Sequence, residues 1–235
     1  MYNQIVAELQ TYINPEKAAF FPNFFKSGKG QYGEGDQFWG ITVPHQRLVV
    51  KKFAKDATLD DITLLITNPI HEQRLTGFLM LVAKYQKASK EEKSKLYLYY
   101  LQNTKCANNW DLVDSSAHYI VGEYLLEKED KEILYTLSES SNLWEQRISI
   151  MSTFAFIKNN KFDDALIISA MLLDHKHDLI HKAVGWMLRE IGKRDKETLT
   201  RYLLTRYRLM PRTMLRYAIE KFPEPERQAY LGGAI

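Results

Sequence analysis

Apolar residues recur along most of this chain at intervals of three or four positions, the spacing that places side chains on one face of an α-helix. One stripe runs through Val113, Ala117 and Ile120, and another through Ile150 and Ile157. Prolines and capping residues separate the stripes, and three side chains are expected to cap helix N-termini: Ser89, Asn142 and Asp195. The pattern predicts helices over residues 2–13, 15–26, 44–56, 59–68, 70–87, 90–104, 109–127, 130–139, 143–159, 162–174, 178–193, 195–207 and 211–221.

Four of the predicted helices contain comparable quartets, which are Glu72–Leu75, Trp110–Val113, Glu145–Ile148 and His181–Val184. One polar residue in the middle of each quartet follows the previous one at intervals of 37, 36 and 35 residues: Arg74, Asp111, Arg147 and Lys182. Such intervals suit a helix pair with its turns. We therefore predict an all-α fold, a HEAT-like or armadillo-type α-solenoid of stacked antiparallel helix pairs, with residues 1–235 forming one domain.

One segment cannot be helical, because residues 27–36 contain four glycines. Aromatic residues flank it, including Phe25 and Phe38. Glycines permit tight turns, so we predict a short β-hairpin or glycine-rich loop near residues 27–40. A nucleotide site is not expected, since the Gly-Lys-Ser/Thr ending of a P-loop is missing. Lys29 and the backbone amides could contact phosphate; the alternative is a surface connector that covers the aromatic residues.

Composition is that of an ordinary globular protein, with 45% hydrophobic and 26% charged residues. The net charge of +3 is unevenly distributed, because the segment 182–235 holds 12 of the 32 Lys/Arg but only 6 of the 29 Asp/Glu. A basic end of this kind indicates a phosphate-binding surface, or simply a solvated helix face. No signal segment is evident, and no apolar run approaches the ~18 residues of a membrane span, so we expect a soluble cytoplasmic protein.

Five side chains stand beside the apolar stripes, where a packed core gains nothing from them. Trp110 and Asp114 are four residues apart on one helix edge, Arg147 has the equivalent place on a later helix, and Trp186 and Arg189 lie off the next stripe. Constant repeat register would bring these edges to one face, the concave one. Indole faces can pack on a sugar, guanidinium groups can hold phosphates, and a carboxylate can stabilise a developing cation.

These are the groups needed to break an N-glycosidic bond through an oxocarbenium-like sugar. The residue spacing leaves a second interpretation open. In that interpretation Asp114 and Arg147 form a structural salt bridge between repeats, and the tryptophans only fill the interface.

Three segments, Asn109–Asp114, Leu143–Arg147 and Ala183–Glu190, resemble the signature stretches of the AlkD family of HEAT-like-repeat DNA glycosylases. The resemblance extends from about Asn14 to the last predicted helix, and the three motifs keep their order and spacing. It implies removal of positively charged alkylated purines, such as 3-methyladenine and 7-methylguanine, from duplex DNA. It also implies that the lesion is not flipped into a pocket, unlike in most enzymes that act on bases.

The resemblance also implies a role for each side chain beside the stripes. Asp114 matches the catalytic aspartate of the family, and Trp110 and Trp186 match its paired tryptophans that contact the sugar. Arg147 and Arg189 match arginines that grip DNA. The cationic base leaves as a neutral purine, so the enzyme needs no general acid and must chiefly stabilise the sugar cation.

Two departures from the family pattern suggest another branch. Phe24 stands where AlkD-type enzymes have a tyrosine that faces DNA, and the glycine-rich segment follows it. The AlkF and AlkG proteins resemble AlkD in fold but have an added β-hairpin, affinity for branched DNA and no detected glycosylase activity. We favour a glycosylase because the site residues are retained, with a silent branched-DNA binder and a protein-interaction solenoid as alternatives.

Further DNA contacts are expected from Phe24, Lys29, Lys182 and Arg212, with duplex DNA containing alkylated bases as the partner. We expect a monomer that needs no cofactor or metal.

His175, His177 and His181 cluster with two aspartates. Two of these histidines have i,i+4 spacing, but no third ligand lies on the same helix face, so a polar helix start is favoured over a metal site. Cys106 has no disulfide partner, which favours a structural or surface thiol over a nucleophile.

Overall fold

The computed structural model describes all 235 residues, and its regular structure is helical, as the apolar pattern predicts. The chain divides into two compact units, Met1–Ile120 and Val121–Ile235. The helices of the first unit are α1 (Tyr2–Gln10), α2 (Pro15–Phe24), α3 (Val43–Phe53), α4 (Leu59–Ile66), α5 (His71–Lys87), α6 (Lys90–Gln102) and α7 (Trp110–Asp114), with a 3₁₀ turn at Thr104–Cys106.

Helix α5 is the centre of the first unit, and α3, α4, α6 and α7 pack against it. Three of its large apolar residues, Phe78, Met80 and Leu81, are fully buried. Its first turn is buried as well, although that turn is polar: His71 and Glu72 are each 1% exposed. Buried polar groups need partners, so this turn must be held by other side chains or backbone groups.

The glycine-rich segment forms a loop, and no β-hairpin is present. Its only ladder contact is an isolated parallel bridge between Gln37 and Ile70. Gly40 anchors the end of the loop with a φ of +75°, and a Cβ there would come within 2.1 Å of the Asn14 carbonyl oxygen. Only glycine fits that position, for two reasons. The backbone has a left-handed conformation there, and the Asn14 carbonyl oxygen lies too close for a side chain.

The second unit follows the same pattern of short helices around one long helix. A π-helical turn, His118–Gly122, connects to its helices, which are α8 (Glu123–Leu125), α9 (Glu132–Ser138), α10 (Leu143–Ser152), α11 (Phe154–Lys158), α12 (Asp163–Met171), α13 (Asp178–Gly192), α14 (Lys196–Leu204), α15 (Arg212–Ala218) and α16 (Glu224–Gly232). Helix α13 packs on α10, α14 and α15. Its predicted stripe is confirmed, because five residues are fully buried: Ile180, Ala183, Val184, Met187 and Ile191.

Two of the predicted helices are interrupted. The helix predicted over 109–127 stops at Asp114, and the one predicted over 143–159 breaks at Thr153. At both points hydroxyl side chains bond back to helix carbonyls: Ser116 Oγ donates to Leu112 O at 2.5 Å, and Thr153 Oγ1 donates to Ile150 O at 2.7 Å. Such bonds compete with the helical ladder and bend it.

The predicted N-caps are confirmed, since the side chains of Ser89, Asn142 and Asp195 accept bonds from the first turns of α6, α10 and α14. Helix α16 was not predicted, although two prolines at its start gave a signal. No helix has the length and apolar character required to cross a membrane.

Candidate functional site

Trp110 begins α7 in the first unit. Its indole packs on an aromatic ledge formed by Phe24 and Phe25. The Asn109 side chain accepts the backbone N–H of Trp110 at 2.9 Å, which starts the helix at this residue. The indole stacks on Phe25, with ring centroids 5.6 Å apart and planes 23° apart, and meets the edge of Phe24 at 5.8 Å. Because the indole is only half-buried, it remains available to a partner while the ledge fixes its orientation.

Asp114 ends the same short helix, one turn after Trp110, as the i,i+4 spacing predicts. Its side chain is half-buried, whereas Leu112 and Val113 beside it are fully buried. Burial raises the pKa of the neighbouring Tyr100 hydroxyl, and the negative charge of Asp114 raises it further. The carboxylate therefore stands at the margin of the core, next to solvent rather than within apolar packing.

A buried network of charges holds α7 against α5. His71 donates through Nδ1 to Asp36 Oδ2 at 3.0 Å and through Nε2 to Asp111 Oδ2 at 2.9 Å. Both ring nitrogens face carboxylates, so the imidazole is a cation. Burial alone would lower the pKa of His71, but the charge of Asp111 and the hydrogen bonds that His71 donates to Asp111 and Asp36 raise it to about 9. Asp36 also accepts from Arg74 Nη2 at 2.5 Å.

Two phenylalanine rings pack against the His71 cation. The imidazole of His71 lies 4.4 Å from the centroid of Phe25 and 5.2 Å from that of Phe38. Burial would raise the pKa of Asp36, but the hydrogen bond from His71 and the charge of Arg74 outweigh it and lower that pKa. The ledge under Trp110 is therefore built around a paired, buried charge.

Glu72 fixes the end of the glycine-rich loop to the same turn of α5. Its carboxylate accepts backbone N–H bonds from Trp39, Gly40 and Ile41, at 3.1, 2.7 and 3.1 Å. Charge-assisted bonds of this kind are about twice as strong as neutral ones. The first turn of α5 thus holds two other segments in place. Asp36 and Glu72 connect it to the glycine-rich loop, and Asp111 connects it to the start of α7.

Phe24 and Lys29 lie where a partner could reach them. Phe24 is 49% exposed at the end of α2, beside the Trp110 ring. Lys29 is exposed in the glycine-rich loop. The loop itself is ordered by internal bonds, such as the one from the Gly30 backbone N–H to the Glu34 carboxylate at 2.8 Å.

In the second unit, Arg147 is buried more deeply than an edge position would suggest, being 4% exposed. Its Nη1 donates to the carbonyl oxygen of Leu179, in the first turn of α13, at 2.5 Å. Trp186 is half-buried in the middle of α13, and its ring lies 6.1 Å from that of Phe154. Arg147 therefore supports the start of the helix that presents Trp186.

The other predicted cations of the second unit are already paired. Arg189 forms an ion pair with Glu220, and its Nε makes no hydrogen bond. Lys182 pairs with Asp178 at 2.6 Å, one turn away on α13. Arg212 is exposed and donates to the Leu231 carbonyl oxygen at 2.8 Å. The Lys182–Asp178 pair is exposed, and exposed pairs are worth little, so a phosphate can replace the Asp178 carboxylate at small cost.

The histidine cluster supports a helix start. His177 Nδ1 accepts the Leu179 backbone N–H at 3.2 Å, which caps α13. His175 bonds to Gln146, and His181 donates to the His175 carbonyl oxygen. Burial lowers the pKa of both His175 and His177. No group of three or more potential metal ligands is present in the chain.

Cys106 ends a short 3₁₀ turn and is half-buried. Burial raises the pKa of its thiol, which is opposite to the change that activates a cysteine nucleophile. The structural or surface role expected from the sequence is consistent with that environment.

Sequence reasoning missed the charges beneath Trp110. Asp36, His71 and Asp111 belong to three separate segments of the chain, and only folding brings them together. The one available signal was the polar run from His71 to Arg74 at the start of an otherwise apolar helix. A polar run inside a buried helix implies partners elsewhere, but it does not identify them.

Comparison with known proteins agrees with the helical fold. The family model described as DNA alkylation repair enzyme matches residues 5–222. A solved structure titled "Predicted DNA alkylation repair enzyme from Enterococcus faecalis" aligns with a TM-score of 0.69 at 18% sequence identity, covering 92% of this chain and 99% of that one. No curated protein matches. Because the family model spans nearly the whole sequence, the chain belongs to the DNA alkylation repair enzyme family.

Proposed function

We propose that this chain is a DNA N-glycosylase that removes cationic alkylated purines, such as 3-methyladenine and 7-methylguanine, from duplex DNA. Its main support is the position of Asp114, which stands half-buried one turn from the exposed side of Trp110 on the same short helix. A carboxylate at the margin of the core can reach a sugar, which a carboxylate within the core could not. Membership of a DNA alkylation repair family gives this geometry a substrate class.

The reaction needs charge stabilisation more than proton transfer. The bond between C1′ and the purine nitrogen breaks, and both electrons go to the base, which leaves as a neutral purine. The sugar becomes an oxocarbenium-like cation. Asp114 stabilises that positive charge, and the face of the Trp110 indole does so as well. Water then adds to C1′ and loses a proton, which leaves an abasic site.

The residues of the second unit are assigned to DNA binding in the same reaction. Trp186 contacts the sugar, and Arg189, Lys182 and Arg212 contact phosphates in exchange for their present carboxylate or carbonyl partners. Arg147, which is buried and donates to the Leu179 carbonyl oxygen, acts indirectly by holding the start of the helix that presents Trp186. We propose on this basis that residues 1–235 serve a single DNA-binding function.

The decisive experiment measures release of 7-methylguanine from methylated duplex DNA. We expect Asp114→Asn to lower the single-turnover rate by roughly 10²- to 10³-fold, the range for removing one preorganised electrostatic group. Its affinity for duplex DNA should change little. Asp56→Asn is the matched control, because Asp56 is an exposed carboxylate of the same unit.

Base release that is equal in the Asp114→Asn variant and the parent protein would contradict the assignment of Asp114. If the parent itself releases no base, the glycosylase proposal fails. A folded Asp114→Asn variant is verified by an unchanged urea unfolding midpoint, which separates loss of chemistry from loss of structure.

A second candidate function is binding of branched DNA without catalysis. It is favoured by the ordered loop over residues 27–41, which Glu72 and Asp36 fix to α5 and which exposes Lys29. This candidate requires tighter binding of a four-way junction than of a linear duplex of equal length, and weaker junction binding when residues 28–35 are shortened. Equal affinity for the two DNAs would exclude it.

A protein-interaction role is the third candidate. It is distinguished by titrating salt against binding to linear duplex, because phosphate contacts give a steep fall of affinity with salt. The absence of any salt-dependent binding to duplex DNA would favour a protein partner.

A further inference from the structure

A cleft of about 430 Å³ opens in the first unit between α3, α4, α5 and α6. Its floor is aliphatic and includes Val50, Leu59 and Leu96, together with three alanines, Ala54, Ala83 and Ala88. The volume falls within the range of about 300–1,000 Å³ that is typical of ligand sites. Three of the lining side chains are only a methyl group, which leaves open space between the helices.

The rim of the cleft is strongly basic. Five lysines line it, which are Lys51, Lys55, Lys84, Lys87 and Lys95, against the single acid Glu92. Glu92 accepts the Ser89 backbone N–H at 2.8 Å and is engaged in capping α6. Lysine ammonium groups on neighbouring helices repel one another, so this rim favours an anionic partner.

Two of the lysines have local partners. Lys84 donates to the Lys55 carbonyl oxygen at 3.2 Å, and Lys95 pairs with Glu91 at 3.1 Å. Lys51, Lys55 and Lys87 are exposed, and their ammonium groups pair with no carboxylate of the chain. Three ammonium groups around an aliphatic floor are therefore available to a partner.

The cleft is separate from the candidate site. Arg74, in the charged network under Trp110, lies in the first turn of α5, whereas Lys87, on the rim, is the last residue of that helix. At a rise of about 1.5 Å per residue they lie about 20 Å apart along the helix. A ligand in the cleft would not touch Trp110 or Asp114.

We propose that this cleft binds an acidic peptide segment of a partner protein, with one bulky apolar side chain on the aliphatic floor and several carboxylates on the lysine rim. A duplex backbone has no large apolar group to occupy the floor. A fatty acid brings one carboxylate to three available ammonium groups. A nucleoside polyphosphate would place a polar base edge on aliphatic side chains that offer it no hydrogen bond. The proposal does not depend on glycosylase activity.

The test uses a fluorescein-labelled peptide of four glutamates followed by phenylalanine, and binding is measured by fluorescence anisotropy. Replacing its phenylalanine by glycine should weaken binding at least tenfold. Ala83→Leu should do the same by filling the floor, whereas Ala7→Leu, an exposed helical alanine of the same unit, should not. Duplex DNA affinity should stay the same in both variants.

The charge of the rim is tested separately. The double variant Lys51→Glu/Lys87→Glu should weaken peptide binding at least tenfold, and more at low salt than at high salt. The matched control Lys17→Glu/Lys128→Glu makes the same change in net charge at exposed lysines outside the cleft and should leave peptide affinity within twofold.

Three results would overturn the proposal. Equal binding of the phenylalanine and glycine peptides would show a simple polyanion surface. Unchanged peptide binding in a folded Ala83→Leu variant would show that the floor is not used. Displacement of the peptide by dodecanoate or by ATP at concentrations below that of the unlabelled peptide would assign the cleft to a small molecule instead.

Discussion

A histidine supports each of the two regions that present a candidate tryptophan, but the electrostatic states of the two histidines are opposite. In the first unit His71 is 1% exposed and lies between Asp36 and Asp111, which raise its pKa to about 9 although burial opposes that change. In the second unit burial lowers the pKa of His177, whose ring nitrogen caps α13 by accepting an N–H. One imidazole therefore acts as a buried cation and the other as a neutral acceptor.

The difference shows that equivalent helix starts can be stabilised by different physics. A buried cation depends on its carboxylates, so removing one partner leaves a charge without compensation. A neutral cap supplies one hydrogen bond to a backbone N–H at the helix start, so it contributes far less to the free energy of unfolding. We therefore expect the Trp110 region to be the more sensitive of the two to mutation and to alkaline pH.

The largest expected effect is that of His71→Ala, which leaves the partly buried Asp111 carboxylate without its cation. We expect the free energy of unfolding to fall by about 3 kcal/mol, at the lower end of the range for broken buried pairs because Arg74 still neutralises Asp36. His181→Ala in the second unit removes one hydrogen bond to a carbonyl, and its effect should stay near about 1 kcal/mol. Urea unfolding of both variants measures the difference.

A double variant separates charge from packing. Adding Asp111→Asn to His71→Ala removes the uncompensated carboxylate, so part of the lost stability should return. If the double variant is less stable than His71→Ala alone, the loss comes from the cavity left by the ring and the comparison with the second unit fails.

The pH dependence should have opposite signs in the two regions. The pKa of His71 is raised from 6.5 to about 9 by folding, so its contribution is fully present below pH 6.5 and is lost as pH rises towards 9. The charged groups that face His71 are Asp36, Asp111 and Arg74. The shift of its pKa corresponds to a loss of about 3 kcal/mol in the free energy of unfolding. The pKa of His177 is lowered by burial, so its contribution is present above pH 6.5 and is lost as pH falls.

Imidazole resonances followed by NMR between pH 5 and 10 would measure both titrations directly. Urea unfolding over the same range should show stability falling above pH 6.5 in the parent protein and a weaker fall in His71→Ala. If the most buried histidine titrates below pH 6.5, the assignment of His71 as a cation is wrong.

The smallest expected effect concerns the cap of α13. His177→Ala removes the acceptor for the Leu179 N–H and should lower stability by about 1 kcal/mol. His177→Asn supplies another capping acceptor and should recover most of that loss. A shift in the urea midpoint for His177→Ala as large as that for His71→Ala would remove the contrast between the two regions.

Several features of the fold could be predicted because they depend on local sequence. The stripe on α13 repeats with helical spacing and is fully buried, and Trp186 and Arg189 lie off it as predicted. The caps of α6, α10 and α14 follow from residue type at the helix start. The breaks at Ser115 and Thr153 were missed, because a hydroxyl residue within a helical pattern does not by itself specify a bend.

By itself the sequence determined the all-helical class, the places of most helices, and the pairing of Trp110 with Asp114 on one edge, since each depends on residues within a few turns of one another. Only the tertiary structure decided that His71 is a buried cation, that Asp36 in the glycine-rich loop reaches it, and that Glu72 anchors that loop. Those contacts join positions that are distant in sequence, and their strength comes from burial that no local pattern encodes.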